Sequence, residues 1–106
     1  MPKYLIAANY TKQGLDGIRS AGGQSRIDAI RSMTEGLGGS LESFYFAFGD
    51  ADAYVTVDLP DDETAAAIAL TVGGSGAATV RTTKLLTAAQ VDAAIGKNVG
   101  YRPPGS

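Results

Sequence analysis

The chain has 106 residues, a net charge of −2 and an apolar fraction of 44%, which fits one compact domain. It contains neither Cys nor His, which excludes disulfides, thiolate chemistry and histidine-assisted nucleophiles and leaves only oxygen ligands for a metal. Its Lys and Arg residues are scattered, and no segment approaches the ~20 apolar residues of a membrane span. We therefore expect no nucleic acid, no membrane, no metal and no cofactor.

The first part of the chain predicts a strand followed by helical segments. Residues 3–10 alternate between two faces, with Tyr4, Ile6, Ala8 and Tyr10 on one of them. Residues 11–14 predict a turn, and residues 15–21 one or two helical turns before a Gly-Gly pair. A longer helix is expected over 25–37, since apolar residues recur there at helical spacing. Its polar face is predicted to carry Arg26, Asp28, Arg31 and Glu35.

The second part of the chain predicts a hairpin, a helix, a strand and a final helix. Strands are expected over 41–48 and 53–59, joined by a short turn that holds Gly49, Asp50 and Asp52. A helix then begins around the acidic run Asp61, Asp62 and Glu63, where capping is a better explanation than a metal cluster. Residues 78–86 predict the fourth strand. Thr87 and Gln90 fit a capping box for a helix to about Ile95.

This order of elements predicts an α+β fold of the ferredoxin-like type, βαββαβ, with a four-stranded antiparallel sheet, a C-terminal helix and an extended tail. We expect a single domain over residues 1–106, with a core at about 3–87 and the helix and tail at about 88–106. The N-terminus shows no signal-peptide pattern, so the expected location is the cytoplasm.

The strands predict a sheet that is partly apolar on both faces. Phe44, Phe46 and Phe48 alternate with Tyr45 and Ala47, and the first strand carries apolar groups on both sides. A second subunit is the expected cover for the face without helices, in a homodimer or a higher homo-oligomer. The alternative is that the C-terminal helix or tail covers that face within one chain.

A family resemblance rests on two runs, SFYFAFGDADAYVTVDLPDDETAAAIAL and VRTTKLLTAAQVDAA. Together they resemble the GYD-domain family of small bacterial proteins, and residues 99–105 resemble the tail of one branch of it. The resemblance implies a ferredoxin-like dimeric α+β-barrel fold and brings no assigned biochemical function. The family's Gly-x-Tyr-Asp motif falls on Gly49, Asp50, Ala51 and Asp52, so the tyrosine position holds alanine.

Candidate functional groups are the polar side chains on strands and in the tail. Dimeric barrels of this kind resemble cofactor-free oxygenases and small isomerases, in which a tyrosine or arginine in a cavity binds an enolate or a carboxylate. Packing of the tyrosines at a dimer interface is the simpler explanation. The candidate pocket residues are Tyr4, Tyr10, Tyr45, Tyr54, Arg81 and Lys84, and Tyr101 and Arg102 are the candidate groups of the tail.

Three functional hypotheses remain open from the sequence. The first is a homo-oligomeric domain, non-enzymatic or of unassigned activity, with a small metabolite as its candidate ligand. The second is a cofactor-independent enzyme, of the oxygenase or isomerase type, acting on a small organic acid or aromatic compound. The third is a protein-interaction module that uses a sheet edge or the tail.

Overall fold

A computed structural model describes residues 1–105. It is an α+β structure with one four-stranded antiparallel sheet and four helices in those residues; the last residue of the predicted tail, Ser106, lies outside them. The elements are β1 (Lys3–Tyr10), α1 (Lys12–Ala21), α2 (Gly23–Gly36), β2 (Ser40–Phe46), β3 (Ala53–Asp58), α3 (Asp62–Gly74), β4 (Ala78–Leu85) and α4 (Ala88–Ile95).

The strands lie in the order β2-β3-β1-β4, which agrees with the predicted ferredoxin-like arrangement. In β1, Tyr4 lies opposite Val57 of β3 on one side and opposite Lys84 of β4 on the other. A bulge between Leu41 and Ser43 shifts the register of β2 against β3. In this strand order, β1 and β3 are the central strands, and β2 and β4 form the edges of the sheet.

The core lies between the sheet and the helices. The covered face of the sheet contributes Tyr4, Ile6, Val55 and Val57, which are all buried, as the alternation of these strands predicted. From α3, Ala65 and Ile68 pack onto this face, and α2 adds Ile30 and Met33. The opposite face of the sheet carries no helix and is called here the open face.

The segment after β1 forms a longer helix than the sequence predicted. Thr11 accepts a hydrogen bond from the Gly14 N–H (3.3 Å) and caps α1, which begins at Lys12. The predicted turn over residues 11–14 is therefore wrong. Gly14 is not a helix breaker here: a Cβ at this position would lie 2.1 Å from the Ala77 carbonyl oxygen, so glycine allows α1 to approach the start of β4.

The boundary between α1 and α2 is one residue, Gly22. Its φ of 93° lies in a region that favours glycine. Because α2 begins at Gly23, it starts two residues earlier than predicted and ends one earlier, at Gly36. The predicted apolar face of α2 is confirmed by Ile30 and Met33, and by Thr34, whose buried hydroxyl donates to the Ile30 carbonyl (2.7 Å).

The hairpin has a longer loop than predicted, because β2 ends at Phe46 and not at residue 48. Phe48 is fully exposed in this loop. Two predicted caps are confirmed. Asp61 accepts from the Thr64 N–H (2.8 Å) at the start of α3, and Thr87 and Gln90 form a capping box at α4.

The C-terminal segment, defined here as residues 86–105, projects from the body of the molecule. All of its residues are exposed, and α4 contributes no buried residue. The radius of gyration is 17.0 Å, whereas a compact chain of this length has a value of about 13 Å. The alternative prediction, that this segment covers the open face of its own sheet, is not what the described residues show. Over residues 1–105, each helix is too short or too polar to cross a bilayer.

Candidate functional site

The six candidate pocket residues divide between the two faces of the sheet. Tyr4, Tyr10 and Lys84 lie on the covered side, whereas Tyr45, Tyr54 and Arg81 lie on the open face. The sheet thus separates them into two groups, and no single cavity contains all six.

On the covered side, Tyr4 and Lys84 meet at Asp62. The buried Tyr4 hydroxyl donates to one oxygen of the Asp62 carboxylate, and Lys84 Nζ lies 3.0 Å from the same oxygen. The hydrogen bond with Asp62 raises the pKa of Tyr4 to about 12. The hydrogen bond from Tyr4, and to a lesser extent the one from Lys84, holds the pKa of Asp62 below its usual value. The cluster joins β1, β4 and the first turn of α3.

On the open face, Tyr45, Tyr54 and Arg81 lie in one row across the sheet. Tyr45 pairs with Tyr54, which lies opposite Ala7, which in turn lies opposite Arg81. Arg81 donates to the Asn9 side-chain oxygen (3.0 Å). At the other end of this face, Lys3 contacts both Asp58 and Glu42. The open face therefore has an aromatic end and a charged end.

The Gly49–Asp52 motif lies in the loop between β2 and β3 and is hydrogen-bonded to the end of β1. The Asp52 carboxylate accepts from the Tyr10 backbone N–H (2.9 Å), and the Asp50 carbonyl accepts from Asn9 Nδ2 (3.1 Å). Ala51, at the position of the motif's tyrosine, is completely buried. The Asp52 carboxylate thus ties this loop to the end of β1.

A cleft of about 280 Å³ lies between α1, the start of α2 and the end of β1. It adjoins a smaller apolar cavity of about 40 Å³ between the sheet and the helices, and Tyr10 and Arg26 line both spaces. Of the six candidate pocket residues, Tyr10 alone contributes to these two linings. The walls of the cleft are made mostly of small residues, namely Gly14, Gly17, Ala21, Gly22, Ala29 and Ala77.

Arg26 is the residue of this cleft that the sequence did not reveal. It was predicted on the polar face of the helix, and this is wrong, because its side chain is partly buried and its Nε atom is fully buried. The sequence offers one weak signal: an arginine in the first turn of a helix opposes the helix dipole and calls for another explanation.

The acidic run and the glycine-rich run lie at the two ends of α3. Within residues 1–105, no three Asp or Glu side chains are grouped to hold a metal ion. The Gly73–Gly76 stretch closes α3 and leads into β4. Tyr101 and Arg102 lie in the exposed tail, away from the cleft lining.

Comparison with known proteins gives one family. The family model described as GYD domain matches residues 4–95. No curated protein and no solved structure gives a significant match. Because the match runs from the second residue of β1 to the end of α4 and so covers most of the chain, the chain belongs to the GYD-domain family, which has no assigned function.

Proposed function

We propose that this GYD domain is a homodimer whose subunits each bind a small molecule in the cleft between α1 and α2. The observation that carries the binding role is the cleft itself. A space of about 280 Å³ lies just below the volumes of about 300–1,000 Å³ that sites for drug-sized ligands occupy. Tyr10, Gln13, Ser25 and Arg26 are the polar residues of its lining, and the other lining residues are glycines, alanines and Ile18.

Two exposed regions of the single chain support self-association. The open face presents Tyr54, and half-buried Leu5 and Ala7, to solvent. The C-terminal segment exposes Val91, Ile95 and Val99 with no cover from its own chain. Apolar surfaces of this kind mark interaction sites, and a two-fold contact with a second copy covers the same patch on both subunits.

The chain offers a matched pair of variants to test the binding role. Gly17 lines the cleft, and a Cβ added there meets no heavy atom within 4 Å. Gly73 of α3 has the same free space and does not line the cleft. Gly17→Leu is therefore expected to fill the cleft, whereas Gly73→Leu makes the same chemical change elsewhere.

The measurement is native mass spectrometry after incubation with a metabolite extract and buffer exchange. The wild-type chain and G73L are expected to carry an added small mass, and G17L is expected to carry none. Loss of the added mass from G17L alone supports the cleft. An equal added mass on all three proteins, or on none of them, overturns the proposal.

A further inference from the structure

Within residues 1–105, Arg26 is the residue with a buried side-chain polar atom, Nε, that lacks a hydrogen-bond partner. The ion pairs formed in this part of the chain use Lys3, Lys12, Arg31 and Lys84, and Arg26 takes part in none of them. A guanidinium that is partly withdrawn from water without a partner costs free energy. This cost is offset when an anion occupies the adjoining space.

The surroundings of Arg26 provide no such anion. No Asp or Glu lines either the cleft or the adjoining apolar cavity. Asp28, the nearest acid along the chain, accepts from Gln24 (2.9 Å) and from Arg31 (3.4 Å). Asp16 of α1 pairs with Lys12, and Asp52 accepts from the backbone N–H of Tyr10. Arg26 is thus the single charged residue in the lining of both spaces, and its charge is not compensated there.

The start of α2 adds to the same electrostatic effect. Gly22, its N-terminal flanking residue, has no side chain to cap the free N–H groups of the first turn. Both Gly22 and Ser25 line the cleft. The positive end of the helix dipole and a first-turn arginine repel each other, and an anion between them relieves that repulsion.

The rest of the cleft defines the body of the ligand. Its volume of about 280 Å³ is below that of sites for drug-sized ligands, so the ligand is small. Ile18, Ala21, Ala29 and Ala77 provide apolar walls, which suit a hydrocarbon or aromatic group. Two N–H groups on one side of a guanidinium form a fork and can each donate a hydrogen bond to one of the two oxygens of a carboxylate.

We propose that the cleft binds a small organic carboxylate, with its carboxyl group on Arg26 and its apolar body against the α1 and α2 walls. This inference rests on the proposed binding role of the cleft and specifies its ligand class. In this arrangement Arg26 recognises the charge of the ligand, and the small residues of α1 determine the size of ligand that fits.

The test is a titration followed by amide and arginine Nε–H resonances in NMR, with benzoate, neutral benzamide and inorganic phosphate as probes. Benzoate is expected to produce saturable shifts at Gly17, Gly22 and Arg26, and to bind more tightly than either of the other two. Arg26→Met, which keeps an unbranched apolar chain, is expected to weaken benzoate binding by at least about tenfold, as for other charge-assisted hydrogen bonds.

Two further variants control for indirect effects. Arg31→Met removes an arginine from the exposed side of the same helix, where it pairs with Asp28, and is expected to leave benzoate binding unchanged. Arg26→Lys keeps the charge but loses the fork, so its affinity is expected to lie between those of the wild type and R26M. The amide spectrum of each variant reports whether it has folded.

The outcomes separate the two proposals. If benzamide binds as tightly as benzoate, or if R26M does not weaken benzoate binding, the carboxylate proposal is wrong and the cleft remains a small-molecule site. Tighter binding of phosphate than of benzoate also overturns the carboxylate. Shifts at none of the cleft residues with any probe count against both the ligand class and the binding role.

Discussion

At the scale of single residues, the Tyr4–Asp62–Lys84 cluster shows how one hydrogen bond links two ionisation equilibria. The bond is made by a neutral phenol to an ionised carboxylate. It favours the charged form of Asp62 and the neutral form of Tyr4, so the two pKa values move in opposite directions. The hydrogen bond therefore stabilises the folded state only between an acidic and an alkaline pH limit.

The sign of each limit follows from the direction of its shift. The contribution of Asp62 is present above its ordinary value of 3.8 and is lost as the pH falls through the lower pKa of the folded state. The contribution of Tyr4 is present below its ordinary value of 10.0 and is lost as the pH rises towards about 12. Between these limits the bond contributes fully.

We predict that Tyr4→Phe lowers the free energy of unfolding at neutral pH and flattens its dependence on pH at both ends. The phenyl ring keeps most of the packing, while Asp62 retains only the contact with Lys84. Urea unfolding across a pH series measures this effect. Tyr45→Phe, which removes an exposed hydroxyl, is the control. A pH profile of Y4F parallel to that of the wild type would falsify the prediction.

At the scale of elements, α1 shows where local sequence patterns fail. The sequence predicted a turn over residues 11–14 and only one or two helical turns over 15–21, yet α1 runs without interruption over ten residues. Glycine lowers helix propensity by up to about 1 kcal/mol relative to alanine. At Gly14 no Cβ fits, because the carbonyl oxygen of Ala77 lies too close. These two residues are far apart in the sequence, so a local sequence pattern cannot show this contact.

Two alanine substitutions in α1 are therefore predicted to have opposite effects. Gly17→Ala is expected to raise the free energy of unfolding by about 0.5–1 kcal/mol, because its Cβ meets nothing and only the helix propensity changes. Gly14→Ala is expected to lower it, since the same gain is outweighed by contact with the Ala77 carbonyl. Chemical denaturation compares the two variants directly. Stabilisation by both would show that α1 lies farther from β4 than described.

The elements that were predicted correctly are those specified by nearby residues. The bounds of β1 follow from its alternation, and the caps at Asp61 and Thr87 use partners three residues away. Arg26 was placed wrongly for the opposite reason. Its burial depends on the cleft that α1 and Ala77 form around it, and helical periodicity alone assigns it to the solvent side. The candidate site was thus predictable at Tyr10 and not at Arg26.

At the scale of the whole molecule, the body and the C-terminal segment differ in how they are held. The buried apolar residues all lie between Tyr4 and Ala78, and none belongs to the segment after β4. The segment nevertheless has a regular helix with a complete capping box and several large apolar side chains. A short helix that buries none of its residues is marginal in water, and the proposed homodimer would supply the missing contact for its apolar side chains.

A matched pair of exposed residues distinguishes this assembly from a monomer. Ile95 of α4 and Leu70 of α3 are 77% and 78% exposed in the single chain. In a monomer, glutamate at either position changes the free energy of unfolding by no more than about 0.5 kcal/mol. In the proposed homodimer Ile95 is covered, whereas Leu70 remains on the outer side of a helix that already packs on the sheet through Ile68.

We therefore predict that Ile95→Glu dissociates the homodimer and that Leu70→Glu does not. Light scattering after size exclusion is expected to give the dimer mass for the wild type and L70E and the monomer mass for I95E. The melting temperatures of the wild type and L70E should rise with protein concentration, because association stabilises the folded subunits by mass action. That of I95E should be independent of concentration. A monomeric wild type, or a dimeric I95E, would mean that α4 is exposed in solution and that another surface or another partner accounts for its apolar side chains.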